Sequence, residues 1–250
     1  MRLPPLSPIR QPDTCRLLPS RFADAEDSVL APLAAGPEHL ADLFALDNAT
    51  NQRLAAERGL APGIGIDELV FGVPNFRIVN AAYAYPRPEG SRFNSGVRGA
   101  WYCAFDLDTA FAEVVFHKTV EYAEIDYFHD SVDYQLMLAD FSGQFHDLRQ
   151  ASGFKQCLDP KSYIASQRLA ELLLENGSLG VVYPSVRRVG GINLACFRPA
   201  LVNNVRRDAA YRLTWSGSPE PAIKVQAKGR KKSNQGVRPK RNAVSAREEP

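Results

Sequence analysis

Apolar positions along this chain recur at two spacings, and the changes from one to the other outline its elements. Leu40, Leu43, Phe44 and Leu54 follow helical spacing, with Pro37 suited to a first turn and Gly59 to a stop, which predicts a helix over residues 37–58. The β-branched and aromatic run over 76–85 predicts a strand that Pro86, Pro88 and Gly90 end; the aromatic-rich stretch 100–105 predicts a second. Asp106 or Asp108 can cap the next helix, whose apolar side carries Phe111, Val114 and Val115. Residues 133–141 alternate as a strand does. Asp159, Pro160 and Gly177 then frame a helix with Ala165, Leu169, Leu172 and Leu173 as its buried stripe. The apolar run 179–183, stopped by Pro184, reads as a buried strand, and further strands are expected over 192–197 and 211–215. Residues 1–20 are proline-rich and read as irregular. From Gly217 the apolar pattern gives way to Lys, Arg, Gly, Ser, Asn and Pro, too little apolar surface to offset the entropy of ordering.

The outline is α+β in three parts: a partly helical N-terminal extension over 1–66, a domain over 67–216, and a disordered basic tail over 217–250. Hydrophobic residues make up 45% and charged residues 23%, an ordinary balance for a soluble globular chain. No apolar run approaches the roughly 18 residues of a membrane span, and the proline-broken start lacks the apolar core of a secretory signal. Cys15, Cys103, Cys157 and Cys196 are scattered without a C-x-x-C pair, so a reduced, cytoplasmic protein is expected. His39, His117, His129 and His146 do not join them at ligand spacing, and no metal is expected. The net charge of +2 conceals an asymmetry: nine Lys/Arg and three Glu follow residue 216, leaving the rest of the chain at −4. Nucleic acid would therefore meet the tail and not the fold.

A few polar residues stand out against their surroundings. Arg77 sits inside an apolar run, where a guanidinium needs a partner or a ligand. Arg92 lies in the loop Gly90-Ser-Arg-Phe-Asn-Ser-Gly, whose amides could face a phosphate together with its planar fork. Tyr102 and Trp101 are adjacent strand residues, of which one can face a cleft. Glu113 sits among apolar neighbours in Thr109-Ala-Phe-Ala-Glu-Val-Val-Phe-His, although an exposed helix position or an ion pair would also account for it. Ser185 follows a buried strand and a proline; it lacks the Gly-x-Ser-x-Gly elbow of a hydrolase nucleophile, and a turn serine bonding its own backbone is the plainer reading.

Taken in order, Arg92 in its glycine-rich loop, Tyr102, Glu113 on a helix and Ser185 in Gly-Val-Val-Tyr-Pro-Ser-Val resemble the Arg…Glu…Ser signature of the RES family, over about residues 76–200. The resemblance implies an ADP-ribosyltransferase-like split β-sheet core with flanking helices, in which two sheets pack together. It implies an enzyme that consumes NAD as substrate, as a glycohydrolase or a phosphorylase, and acts as the toxin of a toxin–antitoxin system beside an Xre-type antitoxin. Transfer of ADP-ribose to a macromolecule stays open, as does non-enzymatic binding of nucleic acid through the tail; the sequence leaves homo-oligomerisation undecided. By the same resemblance, Glu113 offsets the oxocarbenium charge, Arg77 and Arg92 hold diphosphate and ribose, Tyr102 lines the nicotinamide pocket, Ser185 bonds ribose or orients Glu113, and Asn193 and Phe197 support them. The family's Arg-Trp loop pair appears here as Arg92-Phe93.

Overall fold

In a computed structural model of the chain, residues 3–23 and 63–226 are described. The helix expected over 37–58 and the tail beyond residue 226 lie outside them. Seven strands form a single hydrogen-bonded sheet: β1 (Leu6–Pro19), β2 (Trp101–Ala104), β3 (His129–Asp147), β4 (Gly180–Pro184), β5 (Ile192–Cys196), β6 (Asn203–Ser216) and β7 (Ala222–Gln226). Their order is β1-β2-β5-β4-β3-β6-β7, and β1 also pairs with β3. Five strands therefore close into a ring from which β6 and β7 extend. The α+β mixture expected from the sequence is present, but the strands join in one network and not in two separate sheets.

The ring is unevenly stitched. β1 runs along β3 from Leu6↔His146 to Pro19↔Tyr134, with an irregularity between Gln11 and Thr14, where Asp13 takes a left-handed φ of 54°. β1 meets β2 at Cys15↔Ala104 alone. Beyond that point the two strands diverge and open the sheet.

Residues 6–19 are thus a strand in the core of the sheet, where the sequence reading had irregular chain. The prolines mislead because the strand keeps its ladder around them. The tail expected from Gly217 likewise begins with β7, paired to β6 from Ala210↔Gln226 to Thr214↔Ala222.

Among the described residues, three helices of nine residues or more cover the sheet: α1 (Phe76–Ala84), α2 (Leu107–Glu124) and α3 (Ile164–Glu175). Strand alternation divides their territory. Trp101, Cys103, Val182, Leu194 and Cys196 face α1, whose Ile78, Val79 and Tyr83 pack on them. Tyr183, Val181 and Ala195 point to the opposite side, against Leu169 and Leu173 of α3. Ala104, Leu136, Leu213 and Trp215 lie with Ala110 and Tyr122 of α2.

α1 replaces the strand expected over 76–85. Its buried residues 78, 79, 80, 83 and 84 follow helical spacing. The side-chain amide of Asn80 bonds both the N–H and the carbonyl of Val70 (3.1 and 2.9 Å), which satisfies a fully buried polar group in a helix interior. A local run of Ile, Val and Tyr favours either element; tertiary burial selected the helix. α3 starts at Ile164, not at Asp159. The Asp159 carboxylate instead accepts from Lys161 N at 2.7 Å, and that local bond competes with helix capping.

Residues 63–69 are pinned to the sheet by Arg98, which is 9% exposed. It donates to both oxygens of Glu68 (2.5 and 2.8 Å) and to the carbonyls of Gly63 and Phe197, while Arg198 reaches Glu68 at 3.0 Å. The hydrogen bonds and charge of Arg98 hold the Glu68 carboxyl below its ordinary range, against the opposing effect of burial. A carboxyl depressed in the folded state contributes its stability above the unfolded pKa and loses it as pH falls through the folded value. Glu68→Gln should cost about 2–3 kcal/mol at pH 7, toward the low side for a buried pair. The gap in melting temperature between wild type and variant should narrow below about pH 4, the unfolded carboxyl range; a gap independent of pH would show that the pair does not stabilise through charge.

Candidate active site

Asp106 caps α2, its carboxylate accepting from Thr109 N at 2.8 Å and from Thr109 Oγ1 at 2.8 and 3.0 Å. Glu113 follows Thr109 by four residues, so the two share one helix face. That face meets the hairpin formed by β4 and β5. Glu113 Oε1 accepts from Ser185 Oγ at 2.7 Å and from Asn193 Nδ2 at 2.7 Å. Three residues 72 and 80 positions apart in sequence are joined there. Glu113 Oε2 takes no protein donor among the described residues. Ser185 Oγ also accepts from the amides of Arg187 (3.1 Å) and Arg188 (3.2 Å). With its proton on Glu113 and its lone pairs on two amides, this hydroxyl orients the carboxylate and tightens the turn.

Glu113 lines a cavity of about 710 Å³ between α2 and the segment that precedes α3, together with Arg16, Arg92, Tyr102, Tyr163 and Asn193. Arg16, Arg87, Arg92, Lys161 and Arg187 bring five cations to its wall against the carboxylates of Glu89 and Glu113. Such a lining favours an anionic ligand, with the opposite preference at the two carboxylates. Cys15 and Cys103 also line it, but burial pushes their thiols up to about 11 and about 12, so neither is a thiolate at neutral pH. Burial, with the Arg87 charge next, pulls His117 below its ordinary value and keeps the imidazole neutral at pH 7. No group of three or more His, Cys, Asp or Glu that could hold a metal occurs among the described residues. None of the described helices is long and apolar enough to cross a membrane.

Arg92 is 6% exposed, with its guanidinium 4.8 Å from the Tyr163 ring. Its Nη1 donates to the carbonyls of Cys157 (3.2 Å) and Asp159 (2.8 Å), which leaves Nε and Nη2 without a protein acceptor among the described residues. The loop around it does not present its amides as a phosphate cradle. Gly90 N bonds Arg87 O, Ser91 and Asn94 bond each other, and Phe93 N bonds Tyr102 Oη at 2.8 Å. Tyr102 Oη donates in turn to Asn94 Oδ1 at 2.8 Å. Burial drives this hydroxyl far above the usual tyrosine range. Tyr102 therefore offers the cavity its ring and gives its hydroxyl to the arginine loop. Trp101 points the other way, into the core under α1.

Arg77 departs from expectation. It is an exposed residue of α1, 5.8 Å from the Phe76 ring, and does not line the cavity. The reason for assigning it a ligand vanished with the strand. Phe197 packs in the core with α3 and supports the site only from behind.

The residue that sequence reading missed is Arg16 of β1. Its Nη1 donates to Tyr102 O at 3.1 Å, and its guanidinium lies 4.7 Å from the Trp101 ring. It occupies the place where β1 and β2 have stopped pairing, satisfies a strand carbonyl there, and reaches the cavity through the gap. Burial lowers its pKa, yet an arginine stays charged at neutral pH. The signal was available: Cys15-Arg16-Leu17-Leu18 is a charge within an apolar run, as Arg77 is. Arg187 was also missed. It stands 3.3 Å over the Phe116 ring and donates to Pro160 O at 2.7 Å, which ties α2 to the segment before α3.

The RES domain family matches residues 69–216, more than half of the chain, and the chain belongs to that family. It is 28% identical over 203 residues to the uncharacterised protein y4oC of Sinorhizobium fredii (strain NBRC 101917 / NGR234), spanning 81% of this chain and 83% of that one. Among solved structures it is similar to a chain of the M. tuberculosis MbcT–MbcA toxin–antitoxin complex, with 16% identity, a TM-score of 0.40, and coverage of 51% of this chain and 74% of that chain. β1 lies outside the matched residues, yet it completes the ring of strands and supplies Arg16.

Tyr102→Phe should strand the Phe93 amide and the Asn94 side chain in a buried loop. A loss of about 1–3 kcal/mol in urea denaturation is expected; unchanged stability would mean that the hydroxyl does not hold the arginine loop.

Proposed function

We propose that this protein cleaves the bond between nicotinamide and ribose in NAD and is the toxin of a toxin–antitoxin pair. One observation carries the reading: the Glu113 carboxylate, held by two side chains at one oxygen, faces a cavity whose charged lining is predominantly cationic. NAD has the matching charges. Its diphosphate is anionic, and its reacting ribose becomes positive as the bond breaks.

The C1′–N1 bond breaks with its electron pair going to the nicotinamide ring, which leaves neutral and needs no acid. Positive charge develops at C1′ and the ribose ring oxygen, where Glu113 stabilises it electrostatically. Arg92 and Arg16 bind the diphosphate through guanidinium nitrogens that the fold leaves uncommitted. Tyr102 and Tyr163 offer rings for stacking. An incoming water oxygen bonds C1′ and its proton passes to solvent, giving ADP-ribose; a phosphate oxygen in its place gives ADP-ribose phosphate. Membership of the RES family supports the toxin reading, and an antitoxin of Xre type as partner follows from the family resemblance. Cytoplasmic NAD is the substrate on this reading, with no resident cofactor.

Incubation of the protein with NAD and identification of the products by mass separates the outcomes. Nicotinamide with ADP-ribose, or with ADP-ribose phosphate when phosphate is present, is expected. ADP-ribose attached to a protein would instead favour macromolecular transfer, and intact NAD would overturn the reading. Glu113→Gln keeps size and hydrogen bonding but removes the charge; kcat should fall about 10²–10³-fold with little change in NAD binding. Arg92→Ala and Arg16→Ala should instead raise KM, roughly 10-fold or more, because a diphosphate contact exists before and during reaction. Arg77→Ala should match wild type in both constants. Turnover and growth arrest on expression should survive truncation after Gln226, which keeps β7; truncation at Gly217 removes a strand of the sheet and is expected to destabilise it.

A further inference from the structure

Glu113 and its two donors belong to different elements, so something must set the distance between α2 and the β4–β5 hairpin. The contact is between Thr109 and Gly191. Thr109 is fully buried, with its hydroxyl fixed on the Asp106 carboxylate. Gly191 lies against it so closely that a Cβ there would sit 2.5 Å from Thr109 Oγ1, 2.9 Å from Thr109 Cγ2 and 3.2 Å from Ser185 Cβ. Gly191 is also bonded to the serine it touches, since Ser185 N donates to Gly191 O at 2.8 Å. The same turn is tied to the helix start a second time. Arg188 reaches Thr109 Oγ1 at 3.3 Å, Asp106 at 3.5 Å and Asp108 at 3.4 Å, and its own amide bonds Ser185 Oγ.

We infer that Gly191 and Arg188 are positioning residues for Glu113: together they seat the hairpin on the first turn of α2 at the one spacing that lets Ser185 and Asn193 grip the carboxylate. The glycine sets the distance, because no side chain fits between Thr109 and Ser185. The arginine restrains the direction, with a smaller effect, since its ion pairs are solvent-exposed and slightly long. Neither residue touches the substrate in this arrangement. The inference rests on the NAD-cleaving reading for its kinetic consequence, but not for its geometry.

Three variants and one spectroscopic signal test it in the full chain. Gly191→Ala should lower kcat on NAD roughly 10- to 100-fold with KM near wild type, because a displaced carboxylate loses charge stabilisation at C1′ while the diphosphate contacts stay. Adding Thr109→Ala removes both atoms that the new methyl would strike, so the double variant should recover most of the lost kcat. Thermal melts of all variants separate this rescue from general instability. Arg188→Ala should lower kcat about two- to fivefold, again at constant KM. Wild-type kcat in Gly191→Ala, or no recovery in a folded double variant, overturns the inference. If Gly191→Ala does not fold, the Arg188→Ala result decides, and wild-type kcat there overturns it. Should the wild-type protein leave NAD intact, the NAD reading fails by itself. The clamp is then judged by the Asn193 side-chain amide protons in NMR, with Glu113→Gln as reference for the loss of their charged acceptor. These signals should shift in Gly191→Ala and return in the double variant; an unmoved signal overturns the clamp whatever the reaction is.

Discussion

A carboxylate can serve as a fixed negative charge only if it is prevented from turning away, and in this protein two hydrogen bonds to one oxygen do that. Ser185 and Asn193 bond Glu113 Oε1 at 2.7 Å each, from strand ends that belong to the same hairpin. Helix α2, the β4–β5 hairpin and the ring of strands must all be in register for those bonds to form. Each charge-assisted bond is worth more than a neutral one, and here they also link separate layers of the fold. The consequence is a charge whose place is fixed by the fold itself, the kind of preorganisation that electrostatic stabilisation of a cation requires.

The arginines follow a related logic by different means. Arg92 and Arg16 are each held through one nitrogen by backbone carbonyls, at 2.8 and 3.1 Å for the shorter contacts. Neither has an acidic partner among the described residues. A guanidinium bonded only to carbonyls is oriented while its charge stays uncompensated, and burying it that way is unfavourable unless something anionic completes the site. Arg98 makes the contrast within the same molecule: paired with Glu68 and bonded to two carbonyls, it is a structural cation whose charge is compensated. Pairing with a carboxylate is what separates Arg98 from the two arginines at the cavity.

The divergence of β1 from β2 explains why a strand outside the family-matched residues belongs to the site. With a single bridge at Cys15↔Ala104, the ring leaves a gap. Arg16 fills it, satisfies the Tyr102 carbonyl and faces the cavity. Had the two strands paired fully, that carbonyl would have gone to a backbone amide and the guanidinium would have had no route to the cavity.

Local signals in the sequence were sufficient for β2, for the Asp106 cap and apolar side of α2, for β4 and β5, and for the left-handed Gly177 after α3, because capping, alternation and turn chemistry act over a few residues. The family signature likewise pointed to Arg92, Tyr102, Glu113, Ser185 and Asn193 without any structure. Tertiary contacts decided the rest. The run at 76–85 satisfies helix and strand alike, and became α1 because one face of it packs on Trp101 and Leu194 and because Asn80 finds Val70. Pro-rich residues 6–19 became a strand because β3 offered a long partner. Arg77 and Arg16 look alike in sequence, each a lone charge among apolar neighbours. Only the closing of the sheet put one in solvent and the other at the cavity, since burial of a charge depends on what the distant chain brings to it.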